Sequence, residues 1–178
     1  KNGIKKAYTM VSDYAPGHDS EQGFINGFKA GGGEIVGSVR MAVANPDFPA
    51  YVQRAKDLNP EAIFVFIPGG AQPAAIGKAL AERGIDTKKV KVMSTQELTD
   101  DSALKNMGDT ALGVISASPY AHNLKSKMNH DFVAAYQKEF GGANPKFFSA
   151  GGSERMPRTQ EGLRKTKDAT EPHKRRAA

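Results

Sequence analysis

Short apolar segments with the character of β-strands alternate with helical patterns through residues 1–152. The segment EAIFVFI, residues 61–67, is almost wholly apolar, as expected for a parallel strand that is covered on both faces. Similar segments begin near residues 4, 34, 89 and 111, each followed by turn residues and a helical pattern. The alternation predicts an α/β fold with a doubly wound, mostly parallel sheet and helices on both faces.

Turn and cap residues predict where several helices begin and end. Pro16-Gly17 favours a turn after the first strand, with Asp19 or Ser20 available to cap the helix that follows. The third helix is predicted from about Gln72 to Arg83, because Gly84 is a typical helix stop.

The net charge of +6 is concentrated at the end of the chain. Residues 153–178 contain eight Lys or Arg and four Asp or Glu, so this segment carries +4. It has few apolar residues and no helical or strand period, which predicts a disordered or non-native basic tail after a lobe at residues 1–152. The tail has no aromatic residue to stack on bases, and the lobe is only weakly basic, so no nucleic-acid partner is expected.

Catalytic and metal-binding patterns are weak in this sequence. The chain has no cysteine, and the spacing of its four histidines does not set two of them on one helix face. Ser102 and Lys105 match Ser-x-x-Lys, but the partner motifs of the penicillin-recognising acylases are missing and a helix start explains the serine. We therefore expect no enzyme activity, no metal and no cofactor.

Three loops that follow predicted strands could bind a ligand together. The carboxyl ends of parallel strands meet at one edge of a sheet, where α/β proteins bind their ligands. The glycine pair in IPGGAQP would let backbone N–H groups approach a carboxylate, assisted by the dipole of the following helix. The candidate ligand-binding residues are Tyr14, Pro16, His18, Pro68, Gly69, Gly70, Gln96 and Glu97.

Long stretches of the chain resemble the type I periplasmic binding proteins, in the branched-chain amino-acid group of ABC-transporter receptors. The resemblance implies two lobes that close on a ligand, an export signal, a periplasmic location and a membrane permease as partner. This chain resembles the second lobe, so the first lobe and the signal peptide are expected before Lys1. The resemblance is carried by AYTMVSDYAPGHDSEQGF, NPDFPAYVQRAKDLNPEAIFVFIPGGAQ, STQELTDDSALKNMGDTALGVISASPY and NHDFVAAYQKEFGGANPKFFSAGG.

Two departures from the family's pattern affect the interpretation. After FFSAGG the family continues with a Tyr-Asp-containing helix, whereas this chain has SERMPRTQEG, which suggests a frameshifted, truncated or engineered tail. Amino-acid receptors of the group place a Glu after the fourth strand to pair with the ligand ammonium, and here Gln96 stands there with Glu97 beside it. The DYAPG loop resembles receptors for aromatic and other organic acids. The resemblance therefore favours a small carboxylate ligand without an α-amino group, and an amino acid if Glu97 faces the cleft.

Two other function classes remain open at this stage. The same fold serves as the effector-sensing domain of transcriptional regulators and sensors, although no helix-turn-helix is present in this sequence. An enzyme of the doubly wound class is the least favoured interpretation, because no nucleophile with a base and an orienting partner can be identified.

Overall fold

The computed structural model describes residues 3–152 and contains the predicted alternation of strands and helices. The strands are β1 (Lys6–Ser12), β2 (Glu34–Met41), β3 (Ala62–Phe66), β4 (Lys91–Thr95) and β5 (Ile115–Ala117). The helices are α1 (Ala15–Ala30), α2 (Phe48–Asp57), α3 (Gln72–Glu82), α4 (Asp101–Met107) and α5 (Lys127–Glu139), with 3₁₀ turns at Gln96–Thr99 and Gly108–Ala111. The chain divides into two units, Lys1–Ala117 and Ser118–Ala178.

All five strands are parallel and lie in the order β2-β1-β3-β4-β5. The prediction of an α/β fold with a parallel, doubly wound sheet is therefore confirmed. Strand β3 occupies the centre of the sheet and every one of its residues is buried, as its apolar sequence predicts.

Side chains from the two faces of the sheet form two separate clusters. Met10, Ile63 and Val65 belong to the larger cluster, which includes residues of α2, α3 and α4. Phe64 and Phe66 belong to the smaller cluster on the other face, and the ring of Phe24 in α1 stacks on Phe64 with centroids 4.4 Å apart. Helices therefore cover both faces, and α1 lies opposite the helices that follow it.

The predicted start of the first helix is wrong. Helix α1 begins at Ala15, with Tyr14 as its N-cap residue, and Asp19 and Ser20 already lie inside it. Pro16 belongs to the first turn, where its fixed φ suits a helix and its missing N–H breaks no hydrogen bond. The turn chemistry of Pro-Gly was thus outweighed by the preference of proline for a helix start.

The second unit contains α5, and the rings of Phe132, Tyr136 and Phe140 contact one another in sequence order along it. Ser126 caps the helix by accepting a hydrogen bond from the Asn129 backbone N–H at 3.2 Å. The side-chain amide of Asn129 donates to the carbonyl oxygens of His122 and Leu124 at 2.8 and 3.0 Å. These bonds tie the start of α5 to the loop before it.

The predicted basic tail, residues 153–178, lies outside the described residues. Among residues 3–152, no helix combines the length and the apolar character that crossing a membrane requires.

Candidate ligand-binding site

The candidate residues follow three strands that are direct neighbours in the sheet. Strand β3 lies between β1 and β4, so the segments after these strands share one edge, which we call the carboxyl edge. The chain also reverses its winding direction here, because α1 lies on one face and the later helices on the other. In open α/β sheets such a switch point forms the crevice in which ligands bind.

Tyr14 links the loop after β1 to the strand beside it. Its ring lies 5.9 Å from the ring of Phe66, measured between centroids, and it is half-buried. Burial raises the pKa of the Tyr14 phenol, and the negative charge of Glu97 raises it further. The second effect requires the Glu97 carboxylate, which follows β4, to lie near Tyr14.

His18 and Pro16 lie in the first turns of α1. The Nε2 atom of His18 is 2.6 Å from Oδ1 of Asp13, and both side chains are exposed. Helix α1 approaches the end of β1 closely, since a Cβ atom on Gly17 would lie 2.0 Å from the carbonyl oxygen of Ser12. Asp13 was not predicted as the partner of His18, although its position directly after β1 was a usable signal.

The loop after β3 presents its backbone to solvent. Gly69 and Gly70 are exposed, and Gly70 has a φ of +91°, which an L-residue rarely adopts. Nearby, Nε2 of Gln72 donates to the carbonyl oxygen of Val43 at 2.8 Å, so the start of α3 is tied to the loop after β2. The role of Gln72 could not be predicted from the sequence, because it depends on a contact with a residue 29 positions away.

Helices α1 and α3, which begin at this edge, lack a side-chain cap within the described residues. Asp47, Asp100 and Ser126 each cap another helix by accepting a backbone hydrogen bond. An uncapped helix start keeps free N–H groups and a partial positive charge. The carboxyl edge is therefore suited to a negatively charged group.

Gln96 and Glu97 form the first residues of the 3₁₀ turn that follows β4. Nε2 of Gln96 donates a hydrogen bond to Oε1 of Glu97 at 2.7 Å. Within residues 3–152, Oε2 of Glu97 is buried and has no hydrogen-bond partner. The carboxylate thus has one satisfied oxygen and one that is still able to accept a bond.

The weak catalytic and metal-binding patterns of the sequence can be compared with the described part of the chain. No group of three His, Asp or Glu residues in residues 3–152 is placed to hold a metal. The backbone N–H of Ser102 donates to Oδ1 of Asp100 at 3.0 Å, which places this serine in the cap of α4. Its Ser-x-x-Lys match therefore has the helix-start role expected from the sequence.

A cavity of about 300 Å³ lies away from the candidate site. Its walls include Lys5, Phe28 and Gly31, so it sits where β1 begins and α1 ends. The amino ends of parallel strands are not the ligand-binding edge of this fold. We therefore place the candidate site at the carboxyl edge, which is an open surface of the first unit.

Comparison with known proteins identifies the family of this chain. The sequence model of the family described as "Periplasmic binding protein" matches residues 1–178. The chain therefore belongs to the periplasmic binding protein family.

Two solved structures of ABC-transporter solute-binding proteins from Rhodopseudomonas palustris are similar to this chain. One, from strain BisB5 and in complex with 3,4-dihydroxybenzoic acid, is 45% identical with a TM-score of 0.82; the alignment covers 98% of this chain and 47% of that one. The other, in complex with 4-hydroxybenzoate, is 35% identical with a TM-score of 0.88 and coverages of 99% and 48%.

A curated relative carries the name of an amino-acid receptor. The "Leu/Ile/Val-binding protein homolog 6" of Brucella melitensis is 36% identical over 139 residues, which are 78% of this chain and 36% of the relative. The chain thus matches about a third to a half of the length of its relatives.

Proposed function

We propose that this chain is a ligand-binding lobe of an ABC-transporter receptor that captures a small organic acid in the periplasm. The observation that carries this proposal is that the loops after β1, β3 and β4 meet at the switch point of the sheet. Two helices without a side-chain cap, α1 and α3, begin at the same edge. The similarity to solute-binding proteins supports it. Nothing in the described residues resembles a catalytic centre, so we propose binding without turnover.

A carboxylate would bind at the glycine pair. Gly69 and Gly70 have no side chain to keep an anion away from the backbone, and a Cβ at either position would meet no atom within 4 Å. The start of α3 directly follows, and its dipole would stabilise the anion by about 0.3–1 kcal/mol. Pro68, in the loop after β3, and His18, in α1, would border the same group.

An aromatic acid is the ligand class that the surroundings favour. The ring of Tyr14, packed near Phe66, offers a half-buried aromatic surface at the same edge of the sheet as the glycine pair. The two Rhodopseudomonas relatives were solved with hydroxybenzoates. An amino acid is the second candidate, because the Glu97 carboxylate could pair with an ammonium group and the Brucella relative is named for Leu, Ile and Val.

The complete receptor would contain a second lobe and would deliver its ligand to a membrane permease. A receptor with a Kd near 1 μM has about −8 kcal/mol of binding free energy, and half of this gives a Kd of roughly 1 mM. One lobe alone would accordingly bind poorly. The two Rhodopseudomonas relatives are ABC-transporter solute-binding proteins by name, so they give no support to a regulator with the same fold.

The proposal can be tested by calorimetry on the full-length receptor with 4-hydroxybenzoate, benzoate and L-leucine. We expect micromolar binding of an aromatic acid and no chemical change in it. Gly69→Ala should weaken binding about tenfold or more, because the methyl group would hold the carboxylate away from the backbone N–H groups. Gly23→Ala in the middle of α1, where a Cβ also has open space, is the matched control. Failure of all three compounds to bind would contradict the proposal.

A further inference from the structure

One face of the sheet is only partly covered within residues 3–117. Helices α2, α3 and α4 contribute to the cluster on the other face, and α1 is the one helix described on this face. A helix with its side chains is about 10–12 Å wide, and neighbouring strands lie about 4.8 Å apart. One helix therefore covers little more than two strands, and a face of five strands has room for a second.

The less covered part of this face lies over β4 and β5. Phe64 on β3, Met93 on β4 and Ile115 on β5 are aligned in the register of the sheet, so their side chains point to the same face. The ring of Phe24 in α1 covers Phe64, which is buried, but Met93 is half-buried and Ile115 is 44% exposed. On β4 itself, Val92 points to the other face and is fully buried. The burial of the apolar row thus decreases with distance from α1.

The flank of α1 beside these strands carries little side-chain bulk. Gly27 and Gly31 line the cavity of about 300 Å³ at the beginning of β1, and Met93 lines it from β4. A Cβ atom at Gly27 would meet no atom within 4 Å. Glycine is unfavourable inside a helix, but it lets a neighbouring helix approach to a short interaxial distance. A second helix packed beside α1 would line this cavity from its open side.

Gly3 indicates which segment supplies that helix. It lines the same cavity and has a φ of +71°, the left-handed conformation in which glycine commonly follows the end of a helix. Gly32 has this conformation between the end of α1 and β2, which begins at Glu34, and Gly84 has it between α3 and β4. Gly3 stands in the same way before β1, which begins at Lys6. The backbone here has the form of a connection from a helix to a strand.

We propose that the segment of the complete receptor directly before Lys1 forms an amphipathic helix, which packs on this face beside α1 and over β4 and β5. The inference rests on the proposed function in one respect, that this chain is part of a longer receptor. The alignments with the two Rhodopseudomonas receptors cover 47% and 48% of those chains, so similar receptors have further chain outside the matched region.

The dimensions of β1 and the character of the surface define this helix. β1 has seven residues and spans about 23 Å, which is the length of about 15 helical residues. The helix would run antiparallel to β1 and end at Gly3. Toward Met93 and Ile115 it would present large apolar residues, which bury these two side chains, and at Gly27 it would approach the backbone of α1 closely.

The first test measures the melting temperature of the full-length receptor with leucine at Gly27. Packed against a second helix, the new side chain would clash, so Gly27→Leu should lower the melting temperature by about 2–10 °C. If this flank of α1 faces solvent, leucine should raise it instead, because leucine is the better helix former and its Cβ meets no atom. Asn26→Leu, at the neighbouring exposed position, is the matched control and should change it by less than about 2 °C. A melting temperature of Gly27→Leu equal to or above that of the wild type would overturn the proposal.

Cross-linking identifies the segment that packs on this face. This chain has no cysteine, so Ile115→Cys can be combined in the full-length receptor with single cysteines placed through the last turns before Lys1. We expect disulfides within one molecule at every third or fourth of these positions, which is the period of a helix face. Glu82→Cys, on α3 and therefore at the other face, is the control and should give none.

The outcomes separate this inference from the proposed function. Disulfides that join two receptor molecules would assign the face to a second copy, and disulfides without a helical period, or none, would overturn the proposed helix. Ligand binding by the wild-type receptor is measured separately by calorimetry. If an acid binds and no cross-link forms, the receptor function stands and this inference fails. If the cross-links form and none of 4-hydroxybenzoate, benzoate and L-leucine binds, the helix stands and the proposed function fails.

Discussion

Thr9 Oγ1 donates a hydrogen bond of 2.7 Å to Oε1 of Glu21, and both residues are buried, at 0% and 5% exposure. The bond joins the middle of β1 to α1. Arg40 on β2 donates to the other carboxylate oxygen, with Nε 3.3 Å from Oε2. Because a buried carboxylate is costly without partners, these two bonds fix the place of α1 over the sheet. They thereby help to hold the N-terminal part of α1, and with it the N-cap residue Tyr14, at the carboxyl edge.

Thr9→Val should destabilise the lobe. The substitution keeps the shape of the side chain and removes the donor to a buried carboxylate, so the free energy of unfolding should fall by about 1.5–3 kcal/mol. Urea denaturation followed by circular dichroism measures this loss. Ser38→Ala on the exposed side of β2 is the control and should change stability by less than about 0.5 kcal/mol. Equal midpoints for Thr9→Val and the wild type would show that the bond contributes no net stability.

Two glycines of α1 should respond in opposite ways to alanine. A methyl group at Gly17 would lie 2.0 Å from the Ser12 carbonyl oxygen, a backbone atom that cannot move aside without shifting the helix. We expect Gly17→Ala to lower the free energy of unfolding by about 1–3 kcal/mol or more. At Gly23 a methyl group meets nothing within 4 Å, and alanine should stabilise the helix by up to about 1 kcal/mol. Thermal melting of both variants measures these changes in stability. Similar losses of stability at the two positions would contradict the proposed clash at Gly17.

The fold could be predicted from the sequence because apolar strands and helical patterns alternate so regularly. The all-apolar β3 was recognisable as the central strand. Gly84 was recognisable as a helix stop: it follows Arg83, the C-cap residue of α3, and has a φ of +67°. The start of α1 was mispredicted because Pro16-Gly17 is compatible with a turn and with a helix start. The burial of Glu21 was also missed, since its partners come from two strands that the helical pattern does not reveal.

The candidate site was predictable only in part. The rule that parallel strands end at one edge is sufficient to bring the loops after β1, β3 and β4 together. It does not give the strand order, and the nearness of Tyr14 to Glu97 depends on β3 lying between β1 and β4. The bond between Gln96 and Glu97 depends on side-chain conformations in a 3₁₀ turn. Such contacts follow from tertiary structure and have no signature in the sequence.

Glu61 joins the beginning of β3 to the beginning of β1 at the opposite edge of the sheet. Its Oε2 accepts hydrogen bonds from the backbone N–H groups of Lys5 and Lys6, the latter at 3.2 Å. These bonds lower the pKa of the Glu61 carboxyl from its ordinary value of 4.5, because they favour the charged form. The bond from Lys5 has the largest effect, followed by the bond from Lys6. The folded protein therefore binds this proton less readily than the unfolded chain does.

Stability should accordingly fall at acid pH, and Glu61→Gln should reduce that fall. A lowered pKa in the folded state contributes stability that is present above pH 4.5 and is lost as the pH falls through the folded pKa. Urea denaturation at pH 6, 5, 4 and 3 should show that the wild type exceeds Glu61→Gln in stability at pH 6 and that the difference shrinks below pH 4.5. Glu34→Gln, on an exposed residue at the start of β2, controls for a general charge effect. If the difference in unfolding free energy between the wild type and Glu61→Gln stays constant down to pH 3, the two backbone bonds stabilise the neutral carboxyl as well as the charged one. The proposed link between Glu61 and stability at acid pH would then be wrong.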